Sequence, residues 1–356
     1  MVEALNITIK KVAKSNLQNI DFSNITFGKV YSDHMFVADY RDGEWTGFSI
    51  IPYGNMSISP GTCALHYGQS VFEGLKAYKN DDGEVLVFRP RDNFARLNLS
   101  AKRICMPEIS EEVFMGGMTE LLRIDRDWVP GIPGTSLYLR PFMFATDEYI
   151  GLKPSQNYRF ILFTCPVGPY YSEPLSVKVE ENFVRAFPGG TGSAKVAGNY
   201  AGSLYPAKLA QEEGYHQLIW TDGIEHKYVE ESGTMNLIFM IGDTLVTPTL
   251  TDDTILHGIT RDSVLTIARD WGIRVEERRI SIDEIIDAVR KKTLKEAFGA
   301  GTAATIAHIK TIGYDGIDYH LPPITQDLFS RKVLDTLEKY RKGLLEDKFN
   351  WIVKIS

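Results

Sequence analysis

Hydrophobic positions along this chain change period several times, and the changes mark out its elements. VLVFRP, residues 85–90, is an apolar run of strand length, and NFARLNLSAKRICM, residues 93–106, then spaces Phe94, Leu97, Ala101 and Ile104 as one face of a helix. SLYLRPFMF and YRFILFTCPVG predict two further strands. In the second half SVKVEENFVRAF reads as a strand, and YAGSLYPAKLAQEEG as a helix stopped by Gly214. QLIWTDG and HKYVEESG predict two strands about a turn, and NLIFMIGDTLVTP a hairpin turning at Gly242 and Asp243. ITRDSVLTIARDWG puts Val264, Ile267, Ala268 and Trp271 on one helix face, with Gly272 as the stop. Ser281 and Glu284 form a capping box that opens IDEIIDAVRKK.

Strands mixed with helices predict an α/β (α+β) protein. At 356 residues the chain exceeds the usual single core, so two domains are expected. VGPYYSEPL, rich in Gly, Pro and Tyr and without periodicity, is the linker. The expected partition is a small N-terminal domain over 1–166, a linker over 167–175, and a larger domain over 176–356.

Composition narrows the function classes. Hydrophobic residues make up 44% and charged residues 24%, as in ordinary globular chains, and the net charge of -7 is spread without basic runs, which argues against nucleic acid or an anionic membrane as partner. Cys63, Cys105 and Cys165 are too few and too scattered for a disulfide framework or a Cys-x-x-Cys site, and read as core thiols. Seven scattered histidines lack ligand spacing, so no metal site is expected. The N-terminal stretch lacks the apolar core of a signal peptide, and no apolar run approaches bilayer length, so a cytoplasmic location is expected.

The candidate chemistry centres on GGTGSAKVAGNY, residues 189–200, where Lys195 stands among glycines, alanines and a serine. Such a stretch is either a flexible surface loop or the space a lysine needs to act as an amine nucleophile toward a flat carbonyl compound. Two small-residue segments are able to bind an anion: HGITRDS, at the start of a helix, through Ile259 and Thr260, and FGAGTAAT through Thr302 and backbone N–H groups. Each also reads as an ordinary cap or turn. Arg96, inside an amphipathic helix, is either a phosphate contact or a solvated surface residue. Arg140 on SLYLRPFMF, after Tyr138, is either a carboxylate receptor or half of an internal salt bridge.

Together these segments resemble the branched-chain amino acid aminotransferases, of the fold type IV group of pyridoxal phosphate enzymes. The resemblance rests on LHYGQSVFEGLKAY, RPRDNFARLNLSA, LYLRP, GSAKVAGNY, EESGTMNLIF, ILHGITR and GAGTAAT, in family order from about Phe27 to Thr302. It implies a two-domain fold with pyridoxal 5'-phosphate (PLP) held at the domain interface. Lys195 is implied as the Schiff-base lysine and proton shuttle, Glu231 as the partner of the pyridine nitrogen, and Tyr200 as the phenol bonded to the ring oxygen. Leu256 would pack on the ring, while Arg96, Ile259, Thr260 and Thr302 would form the phosphate cup. For substrate the resemblance implies Ala303 at the carboxylate, assisted by Tyr138, and side-chain contacts from Phe27, Phe72, Tyr138 and Thr234, with Thr302 nearby. Arg140 is the candidate for the glutamate carboxylate. Tyr67 and Leu152 correspond to residues supplied to the partner subunit's active site, which implies a homodimer. The implied reaction is ping-pong exchange of an amino group between L-leucine, L-isoleucine or L-valine and 2-oxoglutarate. D-amino acid aminotransferases and aminodeoxychorismate lyases share the lysine and glutamate placements and form the alternative. Two departures stand out: Ile238 replaces a usual aromatic, and Ala304 and Ala307 replace the redox Cys-x-x-Cys of some animal members.

Overall fold

The computed structural model describes residues 5–171 and 173–356. Ser172, inside the expected linker, and residues 1–4, in the stretch searched for a signal peptide, lie outside the described residues. The fold is mixed α/β, and the chain divides into two units.

The first unit is built on a sheet that has nine strands among the described residues. Its centre is the antiparallel pair Ser136–Ala145 and Tyr158–Val167, flanked by His34–Arg41 on one side and Leu75–Lys79 on the other. These strands read as near-continuous apolar runs because most of their residues are buried. The helices Pro90–Arg103 and Glu111–Ile124 bury Leu97, Ala101, Val113, Phe114, Met118 and Leu121 in the same core as Phe36 and Phe160. Ser110 caps the second of these helices, its hydroxyl accepting from the Val113 N–H at 3.2 Å, a contact worth about 1 kcal/mol.

The second unit is built on a mixed sheet. Leu175–Val179 lies parallel to both Gln217–Thr221 and Thr305–Tyr314, and Met235–Ile241 pairs antiparallel with Leu294–Gly301 and Thr244–Thr247. The last pairing is the hairpin expected at Gly242, whose φ of 58° suits a glycine in the turn. Ile282–Arg290 packs Ile282, Ile285 and Ile286 into the core of this unit.

Several expectations need correction. The first unit ends its main segment at Tyr170, inside the expected linker, but it also takes residues 194–198 and 339–356, which the expected partition places in the second domain. The reason is pairing and packing: Ile352–Ile355 adds a strand beside Val85–Phe88, Val196 bridges to Val71, and Ala194 and Val196 are buried in the first core. SVKVEENFVRAF is a strand only to Val179, since the Glu180 carboxylate then accepts from the Asn182 and Phe183 N–H groups and turns the chain out of the sheet. Trp271 is not on the buried face of its helix: Ile259–Asp270 ends before it, and its side chain is 40% exposed. The capping box at Ser281 is half formed. Its hydroxyl accepts from the Glu284 N–H, but the Glu284 carboxylate is held by Arg278 instead of returning to the cap. Cys63 and Cys165 are buried thiols as expected, Cys165 pushed up to about 11 by burial, whereas Cys105 is exposed.

Candidate active site

In the first unit, Lys195 is held by its backbone on both sides. Its N–H donates to the Ser100 hydroxyl at 2.8 Å, and its carbonyl accepts from the Phe72 N–H at 3.1 Å. These contacts tie the segment to the helix Pro90–Arg103 and to the short strand Ser70–Phe72. The Nζ lies 4.8 Å from the centroid of the Phe72 ring, a cation–π distance. Lys195 is therefore fixed at its backbone, and the loop reading fails.

Arg96 is not a solvated surface residue. It is buried, and its Nε and Nη2 grip the two oxygens of Glu73 at 2.7 and 2.9 Å, so the bidentate fork expected for phosphate is turned on a carboxylate. Glu73 is fully buried and also accepts from Asn93 and from the Gly74 N–H. Burial opposes its charge, but the Arg96 guanidinium, with help from the Lys195 ammonium and Asn93, holds the carboxyl below the usual range. In the sequence Glu73 carries no signal beyond being a Glu set between Phe72 and Gly74.

Tyr138 and Arg140 stand two apart on the strand Ser136–Ala145 and so share a face. Arg140 Nη2 donates to the Tyr138 hydroxyl at 3.1 Å, and the guanidinium lies 4.9 Å from the Phe72 ring centroid and 5.3 Å from that of Tyr138. Phe27 meets Tyr138 edge-on at 5.3 Å. Phe27, Phe72, Tyr138 and Arg140 thus form one aromatic and cationic cluster. Tyr67 and Leu152 are on the surface, 40% and 89% exposed.

In the second unit, Tyr200, Glu231, Thr234 and Leu256 line one pocket together with Arg185 and Ser203. Glu231 sits in the strand Val229–Ser232 and is 3% exposed, so it is no surface acid. One carboxylate oxygen accepts from the Leu256 N–H at 2.5 Å, and the other is paired with Arg185 Nε at 3.2 Å. Leu256 is itself fixed, its carbonyl accepting from the Asn236 side chain. Arg185 was not found from sequence, where VRAF gives no sign that its charge is buried.

Ile259 and Thr260 open the helix Ile259–Asp270, and both are buried. The N-cap is Gly258, which brings no side chain to the first-turn N–H groups, and a Cβ there would fall 1.8 Å from the Asn236 Oδ1. That end of the helix is suited to an anion. Thr302 and Ala303 form the turn between Leu294–Gly301 and Thr305–Tyr314; of FGAGTAAT, the sequence took the whole as a turn, whereas its first four residues finish a strand. Within the second unit, a buried anchored carboxylate, a phenol and a helix N-terminus with a glycine cap are donors of the kind that pyridoxal phosphate requires, and these residues fit it.

Comparison with known proteins points the same way. Residues 70–312 match the family model described as amino-transferase class IV. The chain is 45% identical over 340 residues to branched-chain-amino-acid aminotransferase 2 of Bacillus subtilis, covering 94% of this chain and 93% of that one. It is 42% identical over 360 residues to a probable branched-chain-amino-acid aminotransferase of Staphylococcus aureus, covering 100% and 99%. Among solved structures, the branched-chain aminotransferase of Thermoproteus uzoniensis with norvaline superposes with a TM-score of 0.74 at 29% identity over 91% of this chain and all of that one. The Escherichia coli branched-chain amino acid aminotransferase gives 0.71 at 27% identity, covering 91% and 99%.

Proposed function

This chain belongs to the class IV aminotransferase family, and we propose from that premise that it is a branched-chain amino acid aminotransferase. It exchanges an amino group reversibly between L-leucine, L-isoleucine or L-valine and 2-oxoglutarate, with pyridoxal 5'-phosphate as cofactor. Bound pyridoxal phosphate supplies an aldehyde for an amine and a ring that accepts electrons. The Lys195 amine would hold the cofactor through that aldehyde and, when free, would accept and return a proton at the substrate α-carbon. Glu231 would accept the hydrogen of the ring nitrogen and, as an anion, would favour its protonated form. Tyr200 would hold the ring oxygen, and Leu256 would lie against the ring. The N-terminus of Ile259–Asp270, with Thr260, and the turn at Thr302 would hold the phosphate. Arg96 holds Glu73, whose charge the Lys195 ammonium also favours, and it would belong with the helix end to the phosphate cup.

Substrate falls to the aromatic cluster of the first unit and, in the second unit, to Thr234. Phe27, Phe72, Tyr138 and Thr234 take an apolar side chain, and pockets of this kind separate chains differing by one methylene by only about 1–3 kcal/mol, so all three branched-chain amino acids are accepted. Arg140 receives the distal carboxylate of glutamate, and Ala303 the α-carboxylate. We extend the reading to a cytoplasmic homodimer in which the exposed Tyr67 and Leu152 meet the partner subunit's site. Among the described residues no helix is long and apolar enough to cross a membrane, and no group of side chains is placed to hold a metal.

The observation that carries the reading is the buried Glu231 carboxylate, fixed on both oxygens in a pocket that also holds Tyr200 and Thr234. Two measurements test it. Borohydride reduction of the yellow protein should fix the cofactor on Lys195 by peptide mapping, and an adduct on another lysine overturns the site. A substrate panel with 2-oxoglutarate as acceptor should show turnover of L-leucine, L-isoleucine and L-valine, whereas faster turnover of D-alanine moves the enzyme to the D-amino acid branch.

A further inference from the structure

One buried guanidinium gathers three separate segments of the second unit. Arg185 pairs through Nε with Glu231 at 3.2 Å, donates from Nη1 to the Thr254 carbonyl at 2.7 Å, and from Nη2 to the Gly192 carbonyl at 3.2 Å. Its side chain is 7% exposed. The two carbonyls fix the plane of the fork, so the direction of Nε is set before Glu231 is considered. Gly192 leaves no freedom there, since a Cβ on it would fall 2.4 Å from the Thr254 carbonyl oxygen.

Glu231 has need of that cation. Its other oxygen has the Leu256 N–H, but the carboxylate is buried, in a strand whose neighbouring residue Glu230 is a second buried acid. An uncompensated carboxylate in such a place takes up a proton, and a protonated acid no longer stabilises a positive charge on a ring nitrogen. Arg185 lines the same pocket but spends Nε and both terminal nitrogens on protein acceptors.

We infer that Arg185 is a positioning residue for transamination, which keeps Glu231 ionised and correctly aimed without itself touching substrate. The inference rests on the functional reading above. It makes a prediction about coupling that a merely structural arginine does not share: whatever Arg185 contributes to proton transfer is lost once Glu231 is uncharged.

The test is a double-mutant cycle on the holoenzyme with Arg185→Met, Glu231→Gln and the pair, read by single-turnover spectroscopy with L-leucine and by the affinity of the apoprotein for pyridoxal 5'-phosphate. Each single substitution should slow the single turnover on the order of 10²-fold, and the pair should be no slower than about the slower single variant. Cofactor affinity should fall about tenfold in Arg185→Met and no further in the pair. Losses that multiply, or an Arg185→Met protein with parental rate and affinity, overturn the inference. Arg185→Lys, which retains the charge in a smaller change of shape, covers the case of a poorly folding Arg185→Met: it should reduce kcat with little change in the KM for leucine, and an equal effect in the Glu231→Gln background counts against coupling. A parental protein that neither binds pyridoxal phosphate nor transaminates would instead sink the functional reading itself.

Discussion

The N–H of Lys195 donates to the hydroxyl of Ser100 at 2.8 Å, and that hydroxyl in turn donates to the carbonyl of Arg96 at 2.9 Å. Ser100 is fully buried, so both bonds form away from water. Ser100→Ala should therefore strand the Lys195 N–H and cost about 1–3 kcal/mol. Urea unfolding measures the cost directly, and slower borohydride trapping should accompany it as the lysine segment loosens. Parental stability would mean that another group replaces the hydroxyl.

The Tyr138 hydroxyl occupies the space that a side chain on Gly74 would need. A Cβ there falls 1.9 Å from the hydroxyl oxygen and 2.7 Å from Cζ, while the Gly74 backbone itself is unstrained. Gly74→Ala must push the ring aside and with it the bond from Arg140, an overpacking cost of about 1–3 kcal/mol. The kcat/KM for both leucine and glutamate should fall at least about tenfold. Unchanged constants for both would show that the Tyr138 ring moves without cost.

Arg140 lies against Phe72 and Tyr138, where a cation meets two ring faces. Arg140→Met retains much of the apolar stem and removes the charge. Glutamate should lose on the order of 10²-fold in kcat/KM, because a carboxylate left without its cation is costly, while leucine loses far less. Equal losses would make Arg140 a packing residue.

Glu230 supplies a pH dependence of stability. Burial pushes its carboxyl up to about 7, with Glu231 and Asp222 adding to the effect and the Thr254 hydroxyl and Arg185 opposing it. Since the unfolded chain releases this proton near 4.5, the folded state binds more protons between the two values. The group's contribution is complete below about pH 4.5 and is lost as pH rises through about 7, a change of about 3 kcal/mol. Glu230→Gln has no such proton to lose. Relative to that variant, the parental protein should become less stable between about pH 5 and pH 8, as read from urea midpoints, and a constant difference across this range rules the explanation out.

What the sequence determined by itself was whatever depends on short range. The alternation of period gave the helix Pro90–Arg103, the strands Ser136–Ala145 and Tyr158–Val167 and the hairpin at Gly242, because a face of 3.6 or a run of buried strand is written in consecutive residues. The ordered motifs likewise pointed to Lys195, Glu231 and Tyr200. Tertiary structure decided the partners. Glu73 and Arg96 are 23 residues apart, Arg185 and Glu231 farther still, and a buried ion pair leaves no local pattern because each member alone looks like a surface charge. The same holds for residues 194–198, whose place with the first unit follows from a bridge to Val71 and a bond to Ser100, contacts made across more than 90 residues of chain.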